Sequence, residues 1–350
     1  MQHNSVMGWD IGGAHVKVAL AIAADSIAQI AQLPCSLWLG LEQLKIAIAE
    51  LKKDFDFSHS AHVITMTGEL VDHFGTRKEG VLNLVKEMEC VLQGAEIHYF
   101  AGEKGLVSAD NAMAMYKEVA SANWLASASY IATQLSDALF IDVGSTTSDV
   151  VTIQGHTVKF DGYTDAERLY AQELVYCGVV RTPIFALCKS APIKDKLIPI
   201  INEYFASTAD VYRLTKELPE HADMGDTLDG CDKDVQGSAI RLARMFGDDA
   251  VLEDLSIWQH VAEYVREQQL QMIINACRKK LLKTLQTLNT PIVGAGVGRF
   301  LVKDIAQRLN RSYIDFEQLV QYENSKAAIS VGDCAPAASV ACLGYQRIFS

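Results

Sequence analysis

Two short segments of the chain share one design: an apolar strand ending in aspartate, a turn of small residues, then a second strand. The first reads Trp9-Asp10-Ile11-Gly12-Gly13-Ala14-His15-Val16-Lys17. The second reads Phe140-Ile141-Asp142-Val143-Gly144-Ser145-Thr146-Thr147-Ser148-Asp149. Glycine permits positive φ and lets a phosphate approach backbone N–H groups closely. Aspartate cannot attract an anion, so a cation must mediate. Mg²⁺, which takes one or two carboxylates plus phosphate oxygens, suits Asp10 and Asp142, directly or through water. One turn of this kind is as consistent with an ordinary hairpin as with a phosphate site. Two predict one per domain and a phosphate chain gripped from both sides.

The order of elements around the turns also repeats. Strands are expected over 6–11, 16–24 and 27–37, followed by a helix over 41–55 with Leu41, Leu44, Ile48 and Leu51 on one face. A strand over 61–66, a helix over 76–92, a strand over 96–100 and one or two helices within 109–135 come next. Strands over 138–143, 149–154 and 157–160 then restart the pattern, an internal repeat of structure rather than of sequence. Residues 161–254 hold four of the seven prolines. They read as an insertion with helices of its own, one over 198–214, and an acidic loop at 217–234 that is solvated or mobile. Helices over 255–288, 299–309 and 336–349 and a strand over 291–295 complete the chain. The expected division is 1–136, 137–330 with the insertion at about 161–254, and a terminal helix, 331–350, packing back on the first domain.

Composition narrows the class. A net charge of −12 repels nucleic acid and anionic lipid, so neither is an expected partner. No run of about 18 apolar residues suggests a membrane span, and no basic leader precedes the first strand; a cytoplasmic protein is expected. Eight cysteines without a C-x-x-C pair give neither a zinc signature nor a disulfide framework. The nine histidines show no metal-ligand spacing.

Candidate residues follow from the turns. Asp10, Asp142 and Lys17 are the catalytic candidates, with Lys17 reaching back toward the anion. Gly12, Gly13, Gly144, Ser145, Thr146, Thr147 and Asp149 are candidate phosphate contacts, the hydroxyls adding donors to the amides. A third turn, Gly294-Ala295-Gly296-Val297-Gly298-Arg299, follows a strand and opens a helix. Its position near the end of the chain disfavours a dinucleotide-binding unit, so Gly294, Gly296 and Gly298 read as a turn lying against a nucleotide or another flat group. Arg181 is a candidate anion clamp. Glu69 and Asn123 are candidate cleft residues, Asn123 equally a helix cap.

These turns, in this order, resemble the phosphate-1, phosphate-2 and adenosine motifs of the actin/Hsp70/sugar-kinase superfold. The chain is similar to the hydantoinase A/oxoprolinase branch through 8–17, 142–149, Gly178-Val179-Val180-Arg181-Thr182-Pro183 and 294–298. Within that branch, Met66-Thr67-Gly68-Glu69-Leu70, Ala122-Asn123-Trp124-Leu125-Ala126 and Thr208-Ala209-Asp210-Val211-Tyr212-Arg213 resemble the H4MPT-linked C1-transfer pathway proteins, whose archaeal relatives include a methanofuran-biosynthesis synthase. His15, where a smaller polar residue is expected, and Cys231, in a loop usually more basic, depart from the pattern. The resemblance implies an α/β fold of two actin-like, ribonuclease H-like domains around an interdomain cleft. It implies two chemistries. One joins a furan-methyl diphosphate to a tyramine- or tyrosine-type phenol and releases pyrophosphate. The other is kinase or ATPase chemistry on ATP, and a catalytically silent nucleotide-binding regulator stands beside both. Mg²⁺ serves either enzyme, whereas ATP is not required by the first. The expected partner is a small-molecule diphosphate substrate, with self-association left open.

Overall fold

The computed structural model describes residues 5–284, 289–322 and 328–349. β1 (Ser5–Ile11), β2 (His15–Ala23) and β3 (Ser26–Pro34) form an antiparallel meander. β3 stops at Pro34, short of its expected end, and Leu37–Leu39 turns as a 3-10 helix. α1 (Glu42–Leu51), β4 (Ser60–Met66), α2 (Arg77–Val91), β5 (Ile97–Phe100) and β6 (Leu106–Val107) follow. α2 starts where Thr76 Oγ1 accepts the Glu79 amide. Residues 109–135 form three helices: α3 (Ala109–Ala114), α4 (Tyr116–Val119) and α5 (Asn123–Gln134). Ala120 is extended and Ser121 has φ 53°, which ends helical geometry between the last two.

The second meander is β7 (Ala138–Val143), β8 (Ser148–Gln154) and β9 (Thr157–Lys159). Next come α6 (Asp165–Ala171), β10 (Leu174–Val175), α7 (Ile184–Leu187), the hairpin β11 (Ser190–Ile193) and β12 (Lys196–Pro199), α8 (Thr208–Leu214), α9 (Val235–Arg244) and α10 (Ser256–Thr284). The helix expected over 198–214 is thus a strand, a loop and a short helix. Short apolar runs suit either state, and here the Ser207–Asp210 capping box sets the helix start. The expected end of the long helix, 285–288, lies outside the described residues. β13 (Ile292–Ala295), α11 (Arg299–Arg308), β14 (Tyr313–Asp315), β15 (Gln321–Tyr322) and α12 (Ala335–Phe349) finish the chain.

By contacts the chain divides into Met1–Ala138 with Ile153–Lys159 and Asp315–Ser350, and Leu139–Thr152 with Phe160–Ile314. Residues 315–322 and 328–330, given to the second domain by sequence, group with the first unit, where β15 pairs in parallel with β3. In the first unit the sheet runs β15-β3-β2-β1-β4-β5-β6. One face buries Met7, Trp9, Ile11, Val16 and Ile64 against Leu44, Ile48, Val81 and Leu84. α12 lies on the other face. A Cβ at Gly8 would sit 2.6 Å from the Ala341 nitrogen, so this helix meets the sheet almost backbone to backbone.

In the second unit the sheet runs β10-β8-β7-β13-β14. Leu139, Ile141 and Val143 share one core with Ile184, Val211, Tyr212, Leu242, Val261 and Leu301. The segment expected as an insertion therefore contributes to the unit's own core. Its acidic loop is largely exposed, as expected of a solvated loop, and ion pairs anchor it to the neighbouring helices. Asp223 pairs with Arg213 and Lys233, Asp229 pairs with Arg241 and Arg244, and buried Arg241 also holds Asp210 at 2.8 Å. Lys280 of α10 is buried between Glu173 at 2.6 Å and Asp161 at 2.8 Å. A buried cation so enclosed fixes the 160–175 segment to the helix.

Candidate functional site

In the first unit, register places Asp10, Lys17, Gln32 and Thr65 side by side on neighbouring strands. Directly opposed residues project from one face of a sheet, so a buried polar row crosses it beside the turn. Lys17 Nζ does not reach toward an anion as expected; it donates to the Asp333 carbonyl oxygen at 2.6 Å. Asp10 Oδ1 and Thr65 Oγ1 are buried with no hydrogen-bonding partner among the described residues. Burial pushes the Asp10 carboxyl up to about 6, against the pull of Lys17. Two adjacent orphaned oxygens mark a place that takes a cation, a proton or water.

The Gly12-Gly13 turn also differs from expectation. Neither glycine has positive φ. What they permit is close approach: a Cβ at Gly12 would lie 3.0 Å from the His15 carbonyl oxygen, and one at Gly13 2.8 Å from Val71 Cγ1. The Gly12 amide is used within the turn, donating to His15 O at 2.9 Å, while no acceptor among the described residues takes the Gly13 or Ala14 amide. Thr67-Gly68 folds against the turn, the Thr67 amide donating to Ile11 O at 2.9 Å. It carries buried Glu69, whose Oε1 accepts the Ser121 hydroxyl at 2.8 Å. Asn123, the first residue of α5, accepts the Trp124 amide through Oδ1 at 2.8 Å.

The second turn repeats the first to the atom, with the Gly144 amide donating to Thr147 O at 2.9 Å. Its carbonyls are held by the strap 178–182. Val179 N–H donates to Gly144 O at 3.0 Å, and the Val180 and Arg181 amides donate to Ser145 O at 3.0 and 2.9 Å. The Ser145 and Thr146 amides have no acceptor among the described residues. Ser145 and Thr146 hydroxyls stand 3.5 Å apart. Consecutive amides left open beside hydroxyls form a concavity that suits an anion. The Arg181 side chain is exposed.

Parallel pairing sets Ala295 opposite Asp142, which brings the third glycine turn to the second. Gly296 has φ +82°, and a Cβ there would overlap Asp142 Oδ1 and the Val143 carbonyl. Gly298 N–H donates to Val143 O at 2.8 Å, and Gly294 lies against the Tyr313 ring. The structure thus brings Asp142, 144–147, 181 and 294–298 together. Asp149 is committed elsewhere: its Oδ1 is 2.8 Å from the buried Arg168 guanidinium, and burial raises its carboxyl despite that partner. Sequence reasoning missed Thr182, Thr208, Tyr212 and Gln269, which hold the strap. The Arg-Thr-Pro and Thr-Ala-Asp stretches were visible, but nothing local ties either to residue 269.

Residues 60–335 match the Hydantoinase/oxoprolinase family. The chain is 28% identical over 316 residues to (4-{4-[2-(gamma-L-glutamylamino)ethyl]phenoxymethyl}furan-2-yl)methanamine synthase of Methanocaldococcus jannaschii, covering 87% of this chain and 89% of that one. The Methanococcus vannielii protein of the same name is 29% identical over 177 residues, 50% of this chain and 77% of that one. Among solved structures, nucleotide-free acetone carboxylase aligns with 98% of this chain and 70% of its own, at a TM-score of 0.58 and 11% identity. The α/β fold is shared with that acetone carboxylase chain, and the chain belongs to the hydantoinase/oxoprolinase family.

Proposed function

We propose that the protein is a transferase of methanofuran-type (H4MPT-linked C1) cofactor biosynthesis, joining a furan-methyl diphosphate to a tyramine- or tyrosine-type phenol. The observation that carries this is likeness over 87% of the chain to a synthase whose named product contains a phenoxymethyl-furan ether. In the reaction the phenol oxygen bonds to the furan methylene carbon, the carbon–oxygen bond to the diphosphate breaks, and pyrophosphate leaves with that electron pair. The phenolic proton passes to a base. A phenol of pKa about 10 needs such help at neutral pH. Asp10, with its carboxyl near 6, is suited to accept that proton or to hold a cation.

The second turn supports the leaving-group half. The Ser145 and Thr146 amides and their hydroxyls can meet charge as it grows on the diphosphate. Among the described residues there is no cluster of three acidic, histidine or cysteine ligands, so no all-protein metal cage is present. The orphaned Asp10 oxygen suits Mg²⁺ of the kind completed by substrate oxygens, and Asp142 beside the open amides of the second turn is a second candidate ligand; the ion would supply neutralisation of diphosphate charge.

The test incubates purified protein with the aminomethylfuran diphosphate, a tyramine-type acceptor and Mg²⁺, reading pyrophosphate release and the ether product by mass. Both are expected; neither appearing with folded protein overturns the reading. An ATP arm with ADP as readout examines the alternative, an ATP-dependent small-molecule kinase or ATPase.

A further inference from the structure

The carbonyl of Gly178 receives an unusual share of the unit's buried donors. Thr208 Oγ1 donates to it at 2.8 Å, Gln269 Nε2 at 3.0 Å and Thr182 Oγ1 at 3.2 Å. Gln269 is fully buried in α10, and its amide is oriented by the Tyr212 hydroxyl, which donates to Oε1 at 2.8 Å. Thr182 Oγ1 in turn accepts the Gly178 amide at 2.8 Å. The hub is sterically committed too, since a Cβ at Gly178 would fall 2.5 Å from the Ser145 carbonyl carbon. None of these side chains belongs to either phosphate-type turn.

The connectivity beyond the hub runs through peptide groups. The Gly178 carbonyl shares its peptide with the Val179 amide, which donates to Gly144 O at 3.0 Å. The Gly144 carbonyl shares its peptide with the Ser145 amide. One step on, Ser145 O accepts the Val180 and Arg181 amides, and its peptide carries the Thr146 amide. The Ser145 and Thr146 amides are the ones with no acceptor among the described residues. A hydrogen bond received at a carbonyl polarises the same peptide's N–H, by about 10–30% per bond in a chain. Gly178, Val179 and Val180 are buried and Gly144 and Ser145 half-buried, where such polarisation is less screened than in water.

We propose that Thr208, Gln269 and Tyr212 are positioning residues that set the anion-donor strength of the Ser145 amide through this relay. The inference rests on the reading that the second turn holds the diphosphate. It gives the Thr-Ala-Asp-Val-Tyr stretch and a glutamine of a distant helix one shared task. They fix the strap and charge the turn without touching the ligand.

The test titrates full-length protein with inorganic pyrophosphate and Mg²⁺ by calorimetry, well below each variant's melting temperature. Thr208→Val deletes, at nearly constant shape, the hydroxyl that donates to Gly178 O and accepts the Thr182 amide at 3.3 Å. It is expected to weaken pyrophosphate by up to about fourfold, 10–30% of a hydrogen bond to a charged group, with Thr208→Ser restoring wild-type affinity. The amide proton shift of Ser145 in the ligand-free variant should move upfield. Tyr212→Phe, which frees the Gln269 amide, should act in the same direction and covers the case in which Thr208→Val does not fold. Wild-type affinity with an unmoved Ser145 amide shift in a folded variant overturns the relay alone. Failure of the wild-type protein to bind pyrophosphate overturns the diphosphate reading, and the relay's role with it.

Discussion

Asp10 should be a residue that weakens the fold it sits in. Its carboxyl is buried, one oxygen lacks a partner among the described residues, and burial lifts it from 3.8 to about 6. A folded-state value above the unfolded one means the native protein binds the proton more tightly. Below about pH 3.8 both states are protonated and nothing is lost. As pH rises toward 6 the unfolded chain ionises first, and above 6 the full cost is present. At ~1.4 kcal/mol per pKa unit that cost is about 3 kcal/mol at pH 8 and about 1 kcal/mol at pH 4.5. Asp10→Asn removes the charge at similar volume. It should abolish turnover while stabilising the first unit by up to about 3 kcal/mol at pH 8, and by much less at pH 4.5. Urea unfolding followed by tryptophan fluorescence suits the measurement, because Trp9, Trp38 and Trp124 lie in this unit and only Trp258 in the other. Mg²⁺ should raise wild-type stability and leave the variant unmoved. A variant no more stable than wild type at pH 8, or a gain independent of pH, refutes the account of Asp10 as an ionised, unpartnered carboxylate.

Other variants separate chemistry from scaffold. Asp142→Asn should nearly abolish pyrophosphate release while the circular dichroism melt stays within about 1 kcal/mol of wild type, since half-buried Asp142 lies at the turn rather than in the core. Gly296→Ala meets both a positive φ and the Asp142 carboxylate; a loss of about 1–3 kcal/mol together with lost activity is expected in parallel melting and turnover assays. Lys280→Met leaves Glu173 buried without its cation; a loss of about 3–5 kcal/mol in urea unfolding follows, with KM for surviving protein unchanged.

How far the sequence could be read depends on how local each determinant is. The paired turns were legible because Asp-x-Gly after an apolar strand states its geometry within a few residues, and the Gly12 and Gly144 amides do close the same hydrogen bond. The reason for the glycines was not legible: Gly12 and Gly13 serve close approach at negative φ, and only the folded Val71 and His15 reveal that. Side-chain destinations failed in the same way. Lys17 lies opposite Asp10 in register and its charge acts on that carboxyl, yet its ammonium hydrogen-bonds the carbonyl of residue 333. Asp149 flanks the turn in sequence, but α6 brings Arg168 to it, and a buried carboxylate takes the nearest cation. The acidic loop is exposed as expected, but its anchoring was not legible because the arginines that hold it sit at 213, 241 and 244, on helices outside it. The Gly178 hub is the extreme case, with donors from 182, 208 and 269 converging on one oxygen. Backbone chemistry is written locally and can be read early. Charge partners and carbonyl hubs belong to the tertiary fold, which is why the proposed relay had to be found in space.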